Sequence, residues 1–491
     1  MPGNVARVYP ASGAVAMLPL TPANNWTPTV IFCGGTDMPD EYWGNYSYPN
    51  YNTWTYPASA DCQRITPEPQ DGSAPVYVQD DDMLEGRTMG QFIILPDGTL
   101  LVVNGGRNGT AGYAQATGQT PSFDLMPFGE SLASGPVGTP AIYNPNMPSG
   151  SRWSNAGLSS SNIARLYHSS AILLPDASVL IAGSNPNIDV NTTTIYPTTY
   201  TAEIFYPSYF SATVRPKPTG IPSNLTYGGS YFNVTIPSSS YTGSANAAAS
   251  NTTVVLTRGG FTTHAMNMGQ RFLQLNNTYT VNSDGSYVLH VAQVPPNANL
   301  LTPGPCLMFV VINGIPSNGT MVLVGNGQFG TQPTNPVSDL PASVQNDAAQ
   351  GSGSGSQSNT SGSSSKTGVI VGAVIGVVAA LGIAGALFGI AAARRRRAAS
   401  RQHPSAAYAM GATRAGFGTS GSTALSRHAD EARNSNSSAF VPLQQDNPSM
   451  AWNASTVSLQ SSPYRDDYDG RPHYDPYNSD AIGRSSTGQR L

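Results

Sequence analysis

The sequence predicts an all-β protein: an incomplete kelch-type β-propeller, then a β-sandwich, then a single transmembrane helix and a disordered tail. Three observations carry that reading. Of 491 residues, 51 are Gly and 40 are Pro, against roughly 60 for the two together at average usage. Only 10% are charged, too few for the solvent faces of a helical bundle, which favours short strands joined by turns. A hairpin-like pattern also recurs three times before Ser184. A net charge of −4 argues against nucleic-acid binding, which needs a basic face.

Residues 1–215 hold the repeats. Ala14 to Gly35 (AVAMLPLTPANNWTPTVIFCGG), Gln91 to Gly106 (QFIILPDGTLLVVNGG) and Ser170 to Ser184 (SAILLPDASVLIAGS) each run as strand, Leu-Pro turn, strand, Gly-containing turn. Ala141–Trp153 and Ala202–Tyr209 add Tyr-Pro or Tyr-x-Pro elements. This is the kelch pattern, one four-stranded blade per unit. Leu18, Leu95 and Leu174 are 77 and 79 residues apart, longer than the usual period of about 50, so long loops are inserted. Such loops on a rigid scaffold are where function resides. About three blades and a part are countable, while rings close with four to eight. The first ten residues also lack an apolar signal region. Both features predict that early blades are missing and that the natural start lies upstream.

Residues 216–333 alternate apolar and polar positions in about seven short strands, the pattern of a β-sandwich. Residues 334–367 read as a Gly/Ser-rich linker. Gly368 to Ala393 carries no charge over 26 residues, enough to span a bilayer, and Arg394–Arg397 mark the cytoplasmic side. Ten Asn-x-Ser/Thr acceptors precede this run and two follow it, as a glycosylated exterior requires. The expected location is the plasma membrane, single-pass, with the N-terminal part extracellular. Residues 394–491 are poor in apolar residues and read as a disordered cytoplasmic tail.

The chemistry points to two segments. Tyr167 and His168 sit in SNIARLYHSSAILLPD, entering the third repeat, and His264 sits in LTRGGFTTHAMNMGQRFLQL. Neighbours on a regular strand point to opposite faces, so Tyr167 and His168 can share a site only from a loop or bulge. A phenolate beside two imidazoles suits Cu(II), although spacing alone does not separate such a set from structural residues. His290, within YVLHVAQV, reads as a strand side chain.

ARLYHSSAILLPDASVLIAGSNP and TRGGFTTHAMNMGQR resemble the two copper-ligand segments of the glyoxal oxidase and galactose oxidase family of radical-copper oxidases, and RVYPASGAVAMLPLTPANNW with VIFCGG is similar to the glyoxal oxidase branch. The resemblance covers Val5 to about Gln332. It implies a seven-bladed propeller followed by an immunoglobulin-like early-set domain. It also implies one copper ion held by Tyr167, His168 and His264, with Tyr167 as axial ligand and general base. The implied reaction oxidises a small aldehyde or alcohol with O2, giving the acid or aldehyde and H2O2, which a peroxidase could consume downstream.

The family's radical Tyr–Cys pair is absent. Cys33 and Cys62 are 29 residues apart and are expected to form a disulfide in an oxidising exterior. Cys306, in PCLMFVV, reads as a buried thiol. The chain as written is therefore expected to be inactive. The competing reading is a non-catalytic kelch and early-set surface protein binding glycans or cell-wall polymers. The acidic run Asp80–Asp82 with Glu85 reads as a solvated turn rather than a Ca²⁺ loop.

Overall fold

In the computed structural model, which describes residues 2–39, 42–43, 52–113, 127–263, 266–347 and 439–442, the three repeated segments are antiparallel hairpins. β1 (Ala14–Met17) pairs with β2 (Val30–Cys33), and β3 (Cys62–Ile65) and β4 (Tyr77–Gln79) complete a sheet in that order. β5 (Gln91–Ile94) and β6 (Leu100–Val103) begin the second sheet. A two-stranded ribbon, β7 (Gly106–Tyr113) and β8 (Pro127–Pro136), then interrupts before β9 (Ala141–Tyr143) and β10 (Trp153–Ser154) finish it as β5-β6-β9-β10. β11 (Ser169–Leu173), β12 (Val179–Gly183) and β13 (Ala202–Tyr206) form the third. Among the described residues these sheets close no ring. On the first sheet Ala14, Ala16, Ile31 and Cys33 are buried, while Val15, Met17, Val30 and Phe32 on the opposite face are half-buried.

The two Leu-Pro-Asp turns are built alike. Leu95 N–H donates to Thr99 O and Leu174 N–H to Ser178 O, each at 2.8 Å. In each turn the Asp carboxylate accepts from the backbone N–H and hydroxyl two residues on: Asp97 from Thr99 (3.0 and 2.7 Å), Asp176 from Ser178 (2.9 and 2.6 Å). Short acidic side chains close turns this way, which is why Pro-Asp recurs between these strands.

The second part begins with β14 (Asn224–Leu225), β15 (Tyr227–Gly229), β16 (Phe232–Ile236) and helix α1 (Ala245–Ser250). β17 (Thr252–Arg258), the hairpin β18 (Phe261–Thr263) and β19 (Met266–Met268), β20 (Arg271–Leu275), β21 (Asn277–Val281) and β22 (Tyr287–Val291) follow. β23 (Gly304–Ile312), β24 (Ile315–Pro316), β25 (Thr320–Val324) and β26 (Thr334–Val337) end it. One sheet runs β14-β25-β23-β17-β20, the other β16-β22-β21, and Leu256, Leu273, Met308 and Val310 meet Val234, Ile236, Leu289 and Val291 between them.

The sandwich is not a separate body. The outward face of its larger sheet, with Val255, Phe272, Leu307, Phe309 and Val311, lies in the same apolar core as the first three sheets. The unbroken apolar run CLMFVVI fits a strand buried on both faces. All three Leu-Pro turns rest on this part. Leu20 exchanges backbone hydrogen bonds with Phe272 and Gln274, Ile94 bonds Gln270, and Gly319 N–H donates to Pro175 O at 2.7 Å. Arg215 ties the junction further, donating to Asp176 O (2.8 Å) and Pro316 O (3.0 Å).

Three expectations need correction. The sandwich extends into the expected linker, since β26 pairs in parallel with β15 and Val344 exchanges backbone hydrogen bonds with Tyr279 and Val281; a sheet edge tolerates the prolines of this segment. The acidic run is solvated only at Asp82 and in part at Glu85, because Asp80 is buried, 2.6 Å from Arg152 and bonded to the Tyr143 hydroxyl, and Asp81 gathers the loop at Ser149–Arg152. In the tail, Ala439–Pro442 forms a strand, β27, antiparallel to β13, whose outer edge presents backbone groups that a short apolar segment can pair. Gly368–Ala393 lies outside the described residues, as does the rest of the tail; among the described residues no helix is long and apolar enough to cross a membrane.

Candidate active site

The candidate site forms where the chain enters β11. Tyr167 and His168 occupy a turn rather than the strand, and His168 has φ +62°, a left-handed backbone for which His is enriched among non-glycine residues. That one dihedral cancels the alternation of a strand. The two rings lie side by side, centroids 3.8 Å apart and planes 27° from parallel. Asn185 locks the turn: its N–H donates to Tyr167 O at 2.7 Å, and its carbonyl lies 3.1 Å from His168 Nδ1. An Nδ1–H directed at a carbonyl leaves the lone pair on Nε2, the arrangement typical of metal-binding histidines.

Behind the turn, Arg165 and Glu203 form an ion pair of 2.7 Å with both side chains 5% exposed or less. Arg165 also donates to Gly183 O (2.7 Å) and Thr201 O (3.1 Å), and Ser161 donates to Glu203 (2.8 Å). These contacts fix β12 and β13 against the turn. Tyr167 itself is 5% exposed and packs with Met89, Ala111, Ala133 and Leu166. Ala111 and Ala133 come from the ribbon β7–β8, so the inserted loop walls the site. Tyr9 and Tyr113 flank Tyr167 at 6.3 and 6.4 Å between centroids. Burial, and then a hydrogen bond with Tyr9, hold the Tyr167 phenol well above the usual tyrosine range.

His264 lies outside the described residues. The strands on either side of it are described: Thr263 pairs with Met266 across the hairpin β18–β19, which packs against β11, β5 and β1. That hairpin comes from the sandwich and touches the strand that follows His168. Among the described residues no group of three His, Cys, Asp or Glu side chains could hold a metal. The described donors are therefore one phenol and one imidazole, a pair that fits copper chemistry but needs a further ligand.

Other sequence expectations fall elsewhere. Cys33 and Cys62 are register partners on β2 and β3 and are joined by a disulfide. Cys306 is buried in the sandwich core, and burial pushes its thiol up. His290 has Nδ1 at 2.8 Å from Asn233 Oδ1 and Nε2 at 2.9 Å from Thr280 Oγ1, so both ring nitrogens serve the three-stranded sheet. Sequence reasoning missed Asn185, Arg165 and Glu203, whose partners lie 17 to 38 residues away. Only the Tyr-His dipeptide, incompatible with a regular strand, hinted that something must hold the turn.

Comparison with known proteins bears on what such a site does. Residues 1–209 match the family described as glyoxal oxidase N-terminus, and residues 215–324 match the galactose oxidase-like early set domain. Aldehyde oxidase GLOX1 of Arabidopsis thaliana is 34% identical over 66% of this chain and 49% of its own length. Aldehyde oxidase GLOX of Vitis pseudoreticulata is 32% identical over 63% and 53%, and a galactose oxidase of Gibberella zeae is 28% identical over 48% and 29%. The chain thus spans about half the length of the aldehyde oxidases that it matches.

Proposed function

Since this chain belongs to the glyoxal oxidase family and carries its galactose oxidase-like early set domain, we propose that it forms the copper-holding part of a small-aldehyde or alcohol oxidase. The observation that carries the proposal is the stacked Tyr167–His168 pair with Nδ1 turned to Asn185. His264 completes the ligand set in this reading. Bound copper would supply the redox chemistry by which an aldehyde, water and O2 give a carboxylic acid and H2O2, or an alcohol and O2 give an aldehyde and H2O2. The chain's own residues set the geometry. His168 presents Nε2, and the apolar wall around Tyr167 excludes water. Tyr167, buried and stacked beside His168, is in this reading the group that takes a proton from substrate.

The three cysteines are two in a disulfide and one in the sandwich core, which leaves none for a thioether to tyrosine beside Tyr167. This chain is accordingly proposed to bind copper yet turn over slowly by itself. The test is a copper titration of the full chain with a peroxide assay on glyoxal, methylglyoxal and galactose. Copper binding that weakens in His264→Ala, with peroxide near the free-copper background, is the expected result; copper bound as tightly by the His264→Ala variant would remove the proposed site.

We place the described body outside the cell, anchored by Gly368–Ala393. The disulfide and the exposed acceptors Asn25, Asn224, Asn251, Asn276 and Asn318 support this. Asn108 differs: it is half-buried and its Nδ2 donates to Ser134 Oγ at 3.2 Å. Glycopeptide mapping of the secretory-pathway product is expected to find glycans on the exposed group and none on Asn108. A membrane at 368–393 and the pairing of Ala439–Pro442 with β13 exclude each other in one molecule. Glycans on Asn436 or Asn453 would overturn the anchor in favour of the paired strand.

A further inference from the structure

The segment TRGGFTTHAMNMGQR contains polar residues that ligate nothing in the reading above, and the structure gives Asn267 and Gln270 a distinct task. Among the described residues β5 is the terminal strand of its sheet, so one of its edges has no strand partner there. On an extended strand the C=O of one residue and the N–H two residues later point to the same side. Gln270 occupies that position. Its Nε2 donates to Phe92 O at 2.6 Å and its Oε1 accepts from Ile94 N–H at 3.1 Å. One side-chain amide thus does what a residue of a neighbouring strand would do. Asn267 adds a second bond, Nδ2 to Phe92 O at 3.3 Å, and is 8% exposed. Gly260 makes room for it: a Cβ there would lie 2.1 Å from Asn267 Oδ1.

We propose that Asn267 and Gln270 are positioning residues that anchor the hairpin β18–β19 to the outer edge of β5, beside the strand that follows the Tyr167–His168 turn of the proposed copper site. This rests on the proposed function for the metal, while the anchoring stands on the described hydrogen bonds. One residue before Phe92, Gln91 Nε2 donates to the carbonyl of Ser169 at 2.6 Å, the residue directly after His168. Hairpin, β5 and the Tyr167–His168 turn are therefore linked in one short chain of contacts.

The experiment uses the full chain and four variants: Gln270→Ala, Gln270→Glu, Asn267→Ala and, as comparison, Arg215→Met. Arg215 joins the same two parts of the molecule through Asp176 and Pro316 but touches neither the hairpin nor β5. Hydrogen exchange of the metal-free chain reads the anchoring, and Cu(II) affinity by chelator competition, with the Cu(II) EPR spectrum, reads the positioning. The Gln270 and Asn267 variants are expected to speed exchange in Phe261–Met268 and to weaken copper by about ten- to hundredfold, as loss of outer supporting residues does elsewhere, with an altered spectrum. Gln270→Glu, which keeps the shape and loses the donor, should behave as Gln270→Ala does. Arg215→Met should lower the melting temperature with copper affinity and spectrum unchanged. Equal effects of Arg215→Met and Gln270→Ala on copper would show only general docking and overturn the proposal, as would unchanged exchange in Gln270→Ala. If the unsubstituted chain shows no His168-dependent copper binding, the proposed function falls, and hydrogen exchange alone then decides the anchoring.

Discussion

Replacing Arg165 with alanine is expected to cost about 3–5 kcal/mol of stability, the usual loss when one partner of a buried ion pair is removed. The size follows from what is left behind. Glu203 would keep its buried carboxylate with the Ser161 hydroxyl as the remaining bond, and the carbonyls of Gly183 and Thr201 would lose their donor. Urea unfolding of the full chain measures this directly. The double variant Arg165→Met, Glu203→Leu separates two explanations. If the loss comes from stranding a charge, removing both charges should recover most of it, since well-packed apolar replacements of buried pairs are often neutral. If the double variant is as unstable as the single, the pair is instead needed to hold the turn, and copper binding should fall with it. A single-variant loss below about 1 kcal/mol, the range of exposed pairs, would contradict the burial described here.

Replacing His168 should remove at least about a hundredfold of Cu(II) affinity, beyond what loss of supporting residues causes, because a donor atom itself disappears. Two substitutions make the result interpretable. Alanine at φ +62° costs about 1–2 kcal/mol in backbone strain, whereas asparagine visits that region readily. His168→Ala should therefore lose both copper affinity and some thermal stability, while His168→Asn should lose copper affinity with a nearly unchanged melting temperature. Copper bound equally well by both variants would show that the imidazole is not a ligand.

Much of this architecture can be read locally. Pro-Asp followed two residues on by Thr or Ser specifies the turns, and the alternation in FNVTI and YVLHV specifies strands with one covered face. The Tyr-His dipeptide required an irregular backbone, and the structure supplies it at a single residue. What stays hidden in the sequence is which distant groups meet. Arg152 finds Asp80 across 72 residues and Gln270 finds Phe92 across 178. Such partners are chosen by how sheets pack, and no local period encodes that choice. The strand in the linker is hidden for a related reason: Pro and Ser look unstructured until a neighbouring edge such as β15 offers them a ladder.

The shared core has a consequence for how the molecule is made. The Leu-Pro turns leave the ribosome well before Thr252–Ile312, the stretch that supplies Val255, Phe272, Leu307, Phe309 and Val311 to cover them. A nascent chain holding only the three sheets has an oily underside that water must tolerate until translation reaches β23. Such half-made intermediates aggregate readily, so the sandwich acts for its own polypeptide as a late-arriving, covalently tethered chaperone.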